Sequence, residues 1–221
     1  MAEHRKNPCL VNLAPWIDKE RIEAGCDEAG RGCLAGPVTA GAVILSPSLA
    51  MTLCQEGVLN DSKQLSERKR NELRKRIEAE ALAWAVSHVG PRKIEEINIL
   101  QSSFLAMRQA VQQLGVYPQF LLIDGNRFQS QEGFPSHGCF IKGDARFASI
   151  AAASVLAKTH RDERMRELAL MYPGYGWECN AGYPTKSHRQ AIRNLGLNEY
   201  HRRTFRQLPE QGNLLTNGAV K

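Results

Sequence analysis

The six cysteines of this 221-residue chain form no C-x-x-C pair and lack the dense spacing of a disulfide scaffold. That argues against a structural zinc site and against a secreted, disulfide-held fold, and it predicts reduced thiols in a cytoplasmic protein. No apolar run is long enough to span a bilayer, since 151–157 is short and broken by Ser154. The N-terminus opens Met-Ala-Glu-His-Arg-Lys with no apolar stretch behind it, which is not the pattern of a secretory signal. There is no Gly-x-x-x-x-Gly-Lys-[Ser/Thr] loop, so a nucleotide-dependent phosphotransferase lacks its phosphate cradle. Acidic residues fall short of basic ones, 23 against 29, giving a net charge of +6 and a pI near 9.1. Most of that excess lies between Lys158 and Arg206, where ten Lys/Arg meet five Asp/Glu. Such a tract is either a solvated helical face or a surface for phosphates.

What is present is an ordinary globular composition, 43% hydrophobic and 24% charged, enough for one sizeable domain or one domain with a small appendage. Residues to about position 20 show no period and read as a loosely held lead-in. Residues 22–27 read as a strand, followed by a Gly-rich turn and a second strand over 38–45 that Ser46-Pro47 stops. After the polar loop Asn60-Asp61-Ser62-Lys63, Ser66 reads as an N-cap for a helix with Leu73 and Ile77 on one face, and 84–89 as a third strand. Ile97, Leu100, Phe104, Met107, Val111 and Leu114 are spaced 3, 4, 3, 4, 3, which predicts one helical stripe ended by Gly115. Strands are expected at 120–123 and 139–142, then a helix over 148–157 whose small residues suit close packing on a sheet. Beyond Leu170 come the loop Tyr172-Pro173-Gly174-Tyr175-Gly176-Trp177 and a basic, helical tail. The alternation predicts an α/β fold: a lead-in over 1–20, a catalytic sheet domain over 21–170 and a C-terminal helical segment over 171–221.

Four acids share one local setting. Asp27 and Glu28 end the first strand, Asp124 ends a central strand, and Asp144 stands just past the next. Each has an ordinary explanation: a polar strand exit for Asp27-Glu28, a turn for Asp124-Gly125-Asn126, a helix cap for Asp144. Gathered at one sheet edge they would repel one another, unless a cation neutralises them. Hard oxygen ligands suit Mg²⁺ or Mn²⁺, and a pair of such ions suits phosphodiester hydrolysis, one activating a water and the other stabilising the leaving oxygen.

The surrounding strings decide between these readings. Asp27-Glu28-Ala29-Gly30-Arg31-Gly32 with Leu34-Ala35-Gly36-Pro37-Val38 closely resembles the opening motif of type 2 ribonuclease H (ribonuclease HII). The resemblance continues in order through Asn60-Asp61-Ser62-Lys63-Gln64-Leu65-Ser66, Leu122-Ile123-Asp124-Gly125-Asn126, Lys142-Gly143-Asp144, the Ser149-to-Lys158 stretch, Gly182-Tyr183-Pro184-Thr185-Lys186 and His201-Arg202-Arg203-Thr204-Phe205. It implies a ribonuclease H-like fold, a mixed five-stranded sheet flanked by helices, with a small helical C-terminal segment that helps to hold the hybrid. It also implies cleavage of RNA in RNA–DNA hybrids and incision at ribonucleotides embedded in duplex DNA. By position, Asp27, Glu28, Asp124 and Asp144 match the family's metal-binding catalytic carboxylates. The Gly30-Arg31-Gly32 backbone matches the reader of the ribose 2′-hydroxyl, Tyr183 the ring that packs on the following deoxyribose, and Lys63 a lysine near the scissile phosphate. Glycines let main-chain groups approach a sugar closely, and the 2′-hydroxyl is the group that separates RNA from DNA.

Asp144 stands where type 3 enzymes carry glutamate, and the lead-in before Arg21 is shorter than their extra N-terminal domain, so type 2 is expected. The tail over 207–221 shows no glutamine-plus-paired-aromatics motif for a sliding clamp, and nothing calls for more than a monomer. The alternative is a non-catalytic hybrid-binding module. Ser154 and Lys158 are candidates for neighbours of the site, although packing and helix surface explain them adequately, and His160, His188 and His201 form no ligand spacing.

Overall fold

The central strands are built from small residues because a helix lies directly on them. The computed structural model of the chain describes residues 13–59 and 65–209. β1 (Glu23–Ala29) and β2 (Val38–Ile44) are buried nearly throughout. Such a run without alternation marks strands covered on both faces. A Cβ added at Gly25 would stand 2.2 Å from the Ser149 carbonyl carbon, and one at Gly41 would stand 2.6 Å from the Ala153 carbonyl oxygen. Both atoms belong to the backbone of the long helix α4 (Ala148–Met171), so glycine alone permits this approach.

Five strands form one mixed sheet in the order β3-β2-β1-β4-β5. β2 pairs antiparallel with β1 and with β3 (Ala83–Val89). β4 (Phe120–Asp124) runs parallel to β1, and β5 (Ser136–Phe140) parallel to β4. Cys26 faces Ile123 across the β1–β4 ladder, so Asp27 and Asp124 each follow by one residue at the same edge. Carboxyl ends of parallel neighbours are where open α/β sheets place ligand sites.

α4 shares one buried cluster with α1 (Pro47–Glu56) and α2 (Glu67–Glu80), while α3 (Pro91–Gln112) covers the other face against Cys26, Val38, Leu121 and Ile123. Ser46 and Ser66 cap α1 and α2 by accepting from the Leu49 and Lys69 amides. Past α4, α5 (Trp177–Asn180) and α6 (Lys186–Leu195) enclose Tyr175, Trp177 and Ile192 with Leu34, Ala35 and Met165. Among the described residues no helix is long and apolar enough to cross a membrane.

Three local expectations change. Asn98 has φ 64 inside α3, and its Oδ1 accepts from the amides of Leu100 and Gln101, so it caps a second helical stretch. The stripe is therefore not continuous: Ile97 precedes the break, and Phe104, Met107 and Val111 carry the buried part. The last strand lies at Ser136–Phe140 rather than 139–142, because Lys142 turns left-handed (φ 55, ψ 42) into a short 3₁₀ turn, Gly143–Ala145. A loosely held lead-in does not extend to Leu13 and Ala14. Leu13 is buried, the Ala14 amide donates to the Arg146 carbonyl at 2.7 Å, and the Ala148 amide donates to the Ala14 carbonyl at 3.0 Å.

Candidate active site

Asp27 sits one residue past the last rung shared by β1 and β4, while β1 itself stays paired with β2 as far as Ala29. Asp27 is 6% exposed. Its Oδ1 accepts from the Glu28 amide at 2.7 Å, and Glu28 Oε1 meets Arg31 Nη1 at 3.1 Å. Asp124, at the end of β4, accepts from the Gly143 amide at 2.7 Å, which ties that strand end to the 3₁₀ turn carrying Asp144.

These elements border a cleft of ≈ 260 Å³. Asp27, Glu28, Asp124, Gly30, Arg31, Gly32 and Tyr183 line it, joined by Ser154 and Lys158 from α4. Seven of the residues singled out from sequence are thus brought together. Asp144 is half-buried and does not line the cleft, although its neighbour Gly143 holds Asp124. Lys63 lies outside the described residues, as does the tail beyond Pro209. Ser154 and Lys158, put down to packing and helix surface from the sequence, do line the cleft. Their spacing of four sets both on one face of α4, at the end of its run of mostly small residues.

The electrostatics are those of crowded acids. Burial holds the Asp27 carboxyl well above the usual carboxylate range, and the charges of Glu28 and Asp124 raise it further. The Ser154 hydroxyl and the Glu28 amide work against this by bonding the charged form. Burial, with Asp27 beside it, also pushes the Cys26 thiol up to about 12. Three carboxylates on one cleft are hard oxygen donors of the kind that suit Mg²⁺ or Mn²⁺, and a divalent cation would relieve their repulsion. Among the described residues no three Asp, Glu, His or Cys side chains close into a complete metal cage. Mg²⁺ is commonly held by one or two carboxylates together with substrate phosphate, so an open acidic cleft fits it in kind.

The sugar-reading candidates line the same cleft. Gly30 has φ +90, and a Cβ there would lie 1.9 Å from Arg161 Nε, so the turn needs glycine for conformation and for space. Gly32 has nothing within 4 Å of its missing side chain. The Tyr183 ring centroid lies 5.3 Å from Lys158 Nζ and 5.6 Å from Arg161 Cζ. The three histidines stand apart from the cleft. His160 bonds Glu78, while His188 and His201 pack with Trp177 and Tyr175.

Comparison with known proteins bears on the family and the fold. The family model for ribonuclease HII matches residues 24–208. A ribonuclease HII from Parabacteroides distasonis is 59% identical over 199 residues, covering 90% of this chain and 97% of that protein. Among solved structures, the ribonuclease H2 from Pyrococcus horikoshii OT3 superposes with a TM-score of 0.70 at 26% identity, over 84% of this chain and 94% of that one. Bst-RNase HIII in complex with Mn²⁺ superposes with a TM-score of 0.64 at 20% identity, over 94% of this chain and 73% of that one.

Proposed function

We infer the finer chemistry from one premise: the chain belongs to the ribonuclease HII family and is therefore an endoribonuclease acting on RNA–DNA hybrids. The proposed reaction includes incision of duplex DNA on the 5′ side of a single embedded ribonucleotide. Water adds to phosphorus and the P–O3′ bond breaks, leaving a 3′-hydroxyl and a 5′-phosphate. In this reading two divalent ions, Mg²⁺ or Mn²⁺, are held by Asp27, Glu28, Asp124 and Asp144. When bound they supply Lewis-acid activation of water and charge compensation at the phosphate.

The remaining roles belong to the chain itself. The Gly30-Arg31-Gly32 main chain would meet the ribose 2′-hydroxyl, for which the open side of Gly32 leaves room. Tyr183 would lie on the next sugar, where a deoxyribose presents the flatter apolar face. Ser154 would favour the charged form of Asp27, against burial and the two neighbouring acids. Lys63 would stand near the scissile phosphate. The sheet domain over 21–170 would carry the acids, and 171–221 would add Tyr183 and a basic surface for the hybrid. We place the enzyme in the cytoplasm as a monomer.

One observation carries the proposal: Asp27 is buried just past the end of the β1–β4 ladder with two other acids pressing on it. A module that only bound hybrid would gain nothing from acids facing phosphates, because without bridging cations they repel the ligand. The test is a nicking assay on a DNA duplex with one ribonucleotide, run with Mg²⁺, with Mn²⁺ and with EDTA. EDTA should abolish incision, and Asp124→Asn should lose activity while retaining hybrid binding. Incision that survives both changes removes the metal assignment.

A further inference from the structure

Two arginines lie wholly inside this protein, yet neither meets a carboxylate among the described residues. Arg161, on α4, and Arg202 are both 0% exposed. A guanidinium buried without counter-charge is costly unless its N–H groups find acceptors. Here the acceptors are main-chain carbonyls, and their positions are informative. Arg202 donates from Nε to the Gly36 carbonyl at 3.0 Å, from Nη1 to Arg31 at 2.8 Å and from Nη2 to Gly30 at 2.7 Å. Two of the three belong to the turn that carries the candidate ribose reader, and Gly36 to the segment that leads from it into β2.

Arg161 reaches further. Its Nε donates to the Pro37 carbonyl at 3.0 Å and its Nη2 to the Ala35 carbonyl at 3.2 Å. Its Nη1 donates to the Ala181 carbonyl at 2.9 Å, two residues before Tyr183, whose ring centroid lies 5.6 Å from Arg161 Cζ. The two segments also touch directly. The Leu34 amide donates to the Gly182 carbonyl at 2.8 Å, and a Cβ on Gly182 would stand 2.5 Å from the Ala35 carbonyl oxygen. A guanidinium is a planar fork with fixed donor directions, whereas a lysine ammonium is a point charge on a flexible stem. Only the fork can hold three carbonyls of two segments at set separations.

We propose that Arg161 is a positioning residue for recognition of the RNA-to-DNA junction, a strut that fixes the separation between the Gly30-Arg31-Gly32 turn and Tyr183. Arg202 has the narrower task of seating the ribose-reading turn itself. This rests on the sugar-reading roles proposed above. It adds that discrimination depends on the spacing of two readers, set by an internal side chain that touches no substrate.

The experiment compares kcat/KM on a DNA duplex containing one ribonucleotide with kcat/KM on a uniform RNA–DNA hybrid. Arg161→Lys should lower the first about tenfold more than the second, since displacing a reader by a fraction of an ångström suffices for such a factor. Arg202→Lys should lower both alike. In a Tyr183→Ala background, Arg161→Lys should leave the ratio of the two substrates unchanged. Gly182→Ala pries the same segments apart without touching the arginine, should shift the ratio as Arg161→Lys does, and decides the matter if that variant does not fold. Equal losses on both substrates for Arg161→Lys and Gly182→Ala would reduce the strut to ordinary scaffolding and overturn the proposal. So would a ratio shift that persists without the Tyr183 ring. Wild-type protein that fails to nick the single-ribonucleotide duplex would instead remove the function itself.

Discussion

Replacing Gly25 by alanine tests whether the close seating of α4 on β1 is what assembles the cleft. The new methyl carbon would lie 2.2 Å from the Ser149 carbonyl carbon and 2.3 Å from the Ile150 nitrogen, short of ordinary contact at 3.4 Å by about 1.2 Å. Both obstacles are helix backbone, so no rotamer relieves the clash and α4 has to move away from the sheet. Overpacking of this kind costs about 3 kcal/mol, the upper end for an inserted methyl group in a well-packed core. For a chain of this size that corresponds to a fall of roughly 6–12 °C in melting temperature. The same shift separates Ser154 and Lys158 on α4 from Asp27, two residues along β1 from the mutated position. A displacement near 1 Å in a catalytic arrangement lowers turnover on the order of a hundredfold. Thermal melts read the first effect; single-turnover incision at 20 °C, well below the melt, reads the second. A variant that melts within about 1 °C of wild type, with turnover intact, would refute the claim that helix–strand contact sets the site.

Other outcomes follow from individual residues. Gly32→Ala meets nothing within 4 Å, so the melt should stay put while incision falls; loss of both together would mean that Gly32 serves the fold rather than the substrate. Asp27 has its carboxyl raised by burial and by Glu28 and Asp124, so it contributes most below the unfolded value near 3.9 and loses stability as pH rises past its folded value. Asp27→Asn should therefore melt higher than wild type at pH 7 without divalent ions and be inactive, with Mg²⁺ or Mn²⁺ narrowing the gap; a lower melt would contradict the crowding of charge. His201 is held neutral by burial, its pKa lowered from 6.5 to about 4. Its contribution is complete above pH 6.5 and should fade by about 3 kcal/mol as pH falls to 4, a slope that His201→Gln should flatten in pH-dependent melts. Hybrid affinity should fall steeply with salt if Lys/Arg contacts to phosphate dominate, and a flat salt profile would locate the binding energy elsewhere.

Much of the architecture was legible because it is written in local pattern. The apolar runs located most of the strands, Ser66 announced α2, and the small residues after Ala148 foretold a helix pressed onto a sheet. The ordered motifs then narrowed an acidic possibility to a nuclease family. What misled the reading was also local. The even spacing from Ile97 to Leu114 concealed a break, because asparagine can adopt positive φ and cap the stretch after it. Ser154 and Lys158 were put down to packing and helix surface because their spacing gives a shared helix face but not what lies opposite it.

The sequence alone determined the chemistry on offer: carboxylates at strand ends, a glycine turn without side chains, an aromatic in a basic segment, in an order specific to one family. Only the tertiary structure decided what meets what. Parallel pairing of β1 with β4 carries Asp27 and Asp124 to one edge and one cleft, whereas Asp144 is not among the residues that line it. It also turned Arg161 and Arg202, which look like surface charge in a basic tract, into internal struts. Periodicity reports which face of its own element a residue occupies. Which faces and ends converge depends on strand order and helix seating, and those are settled by burial across the whole chain.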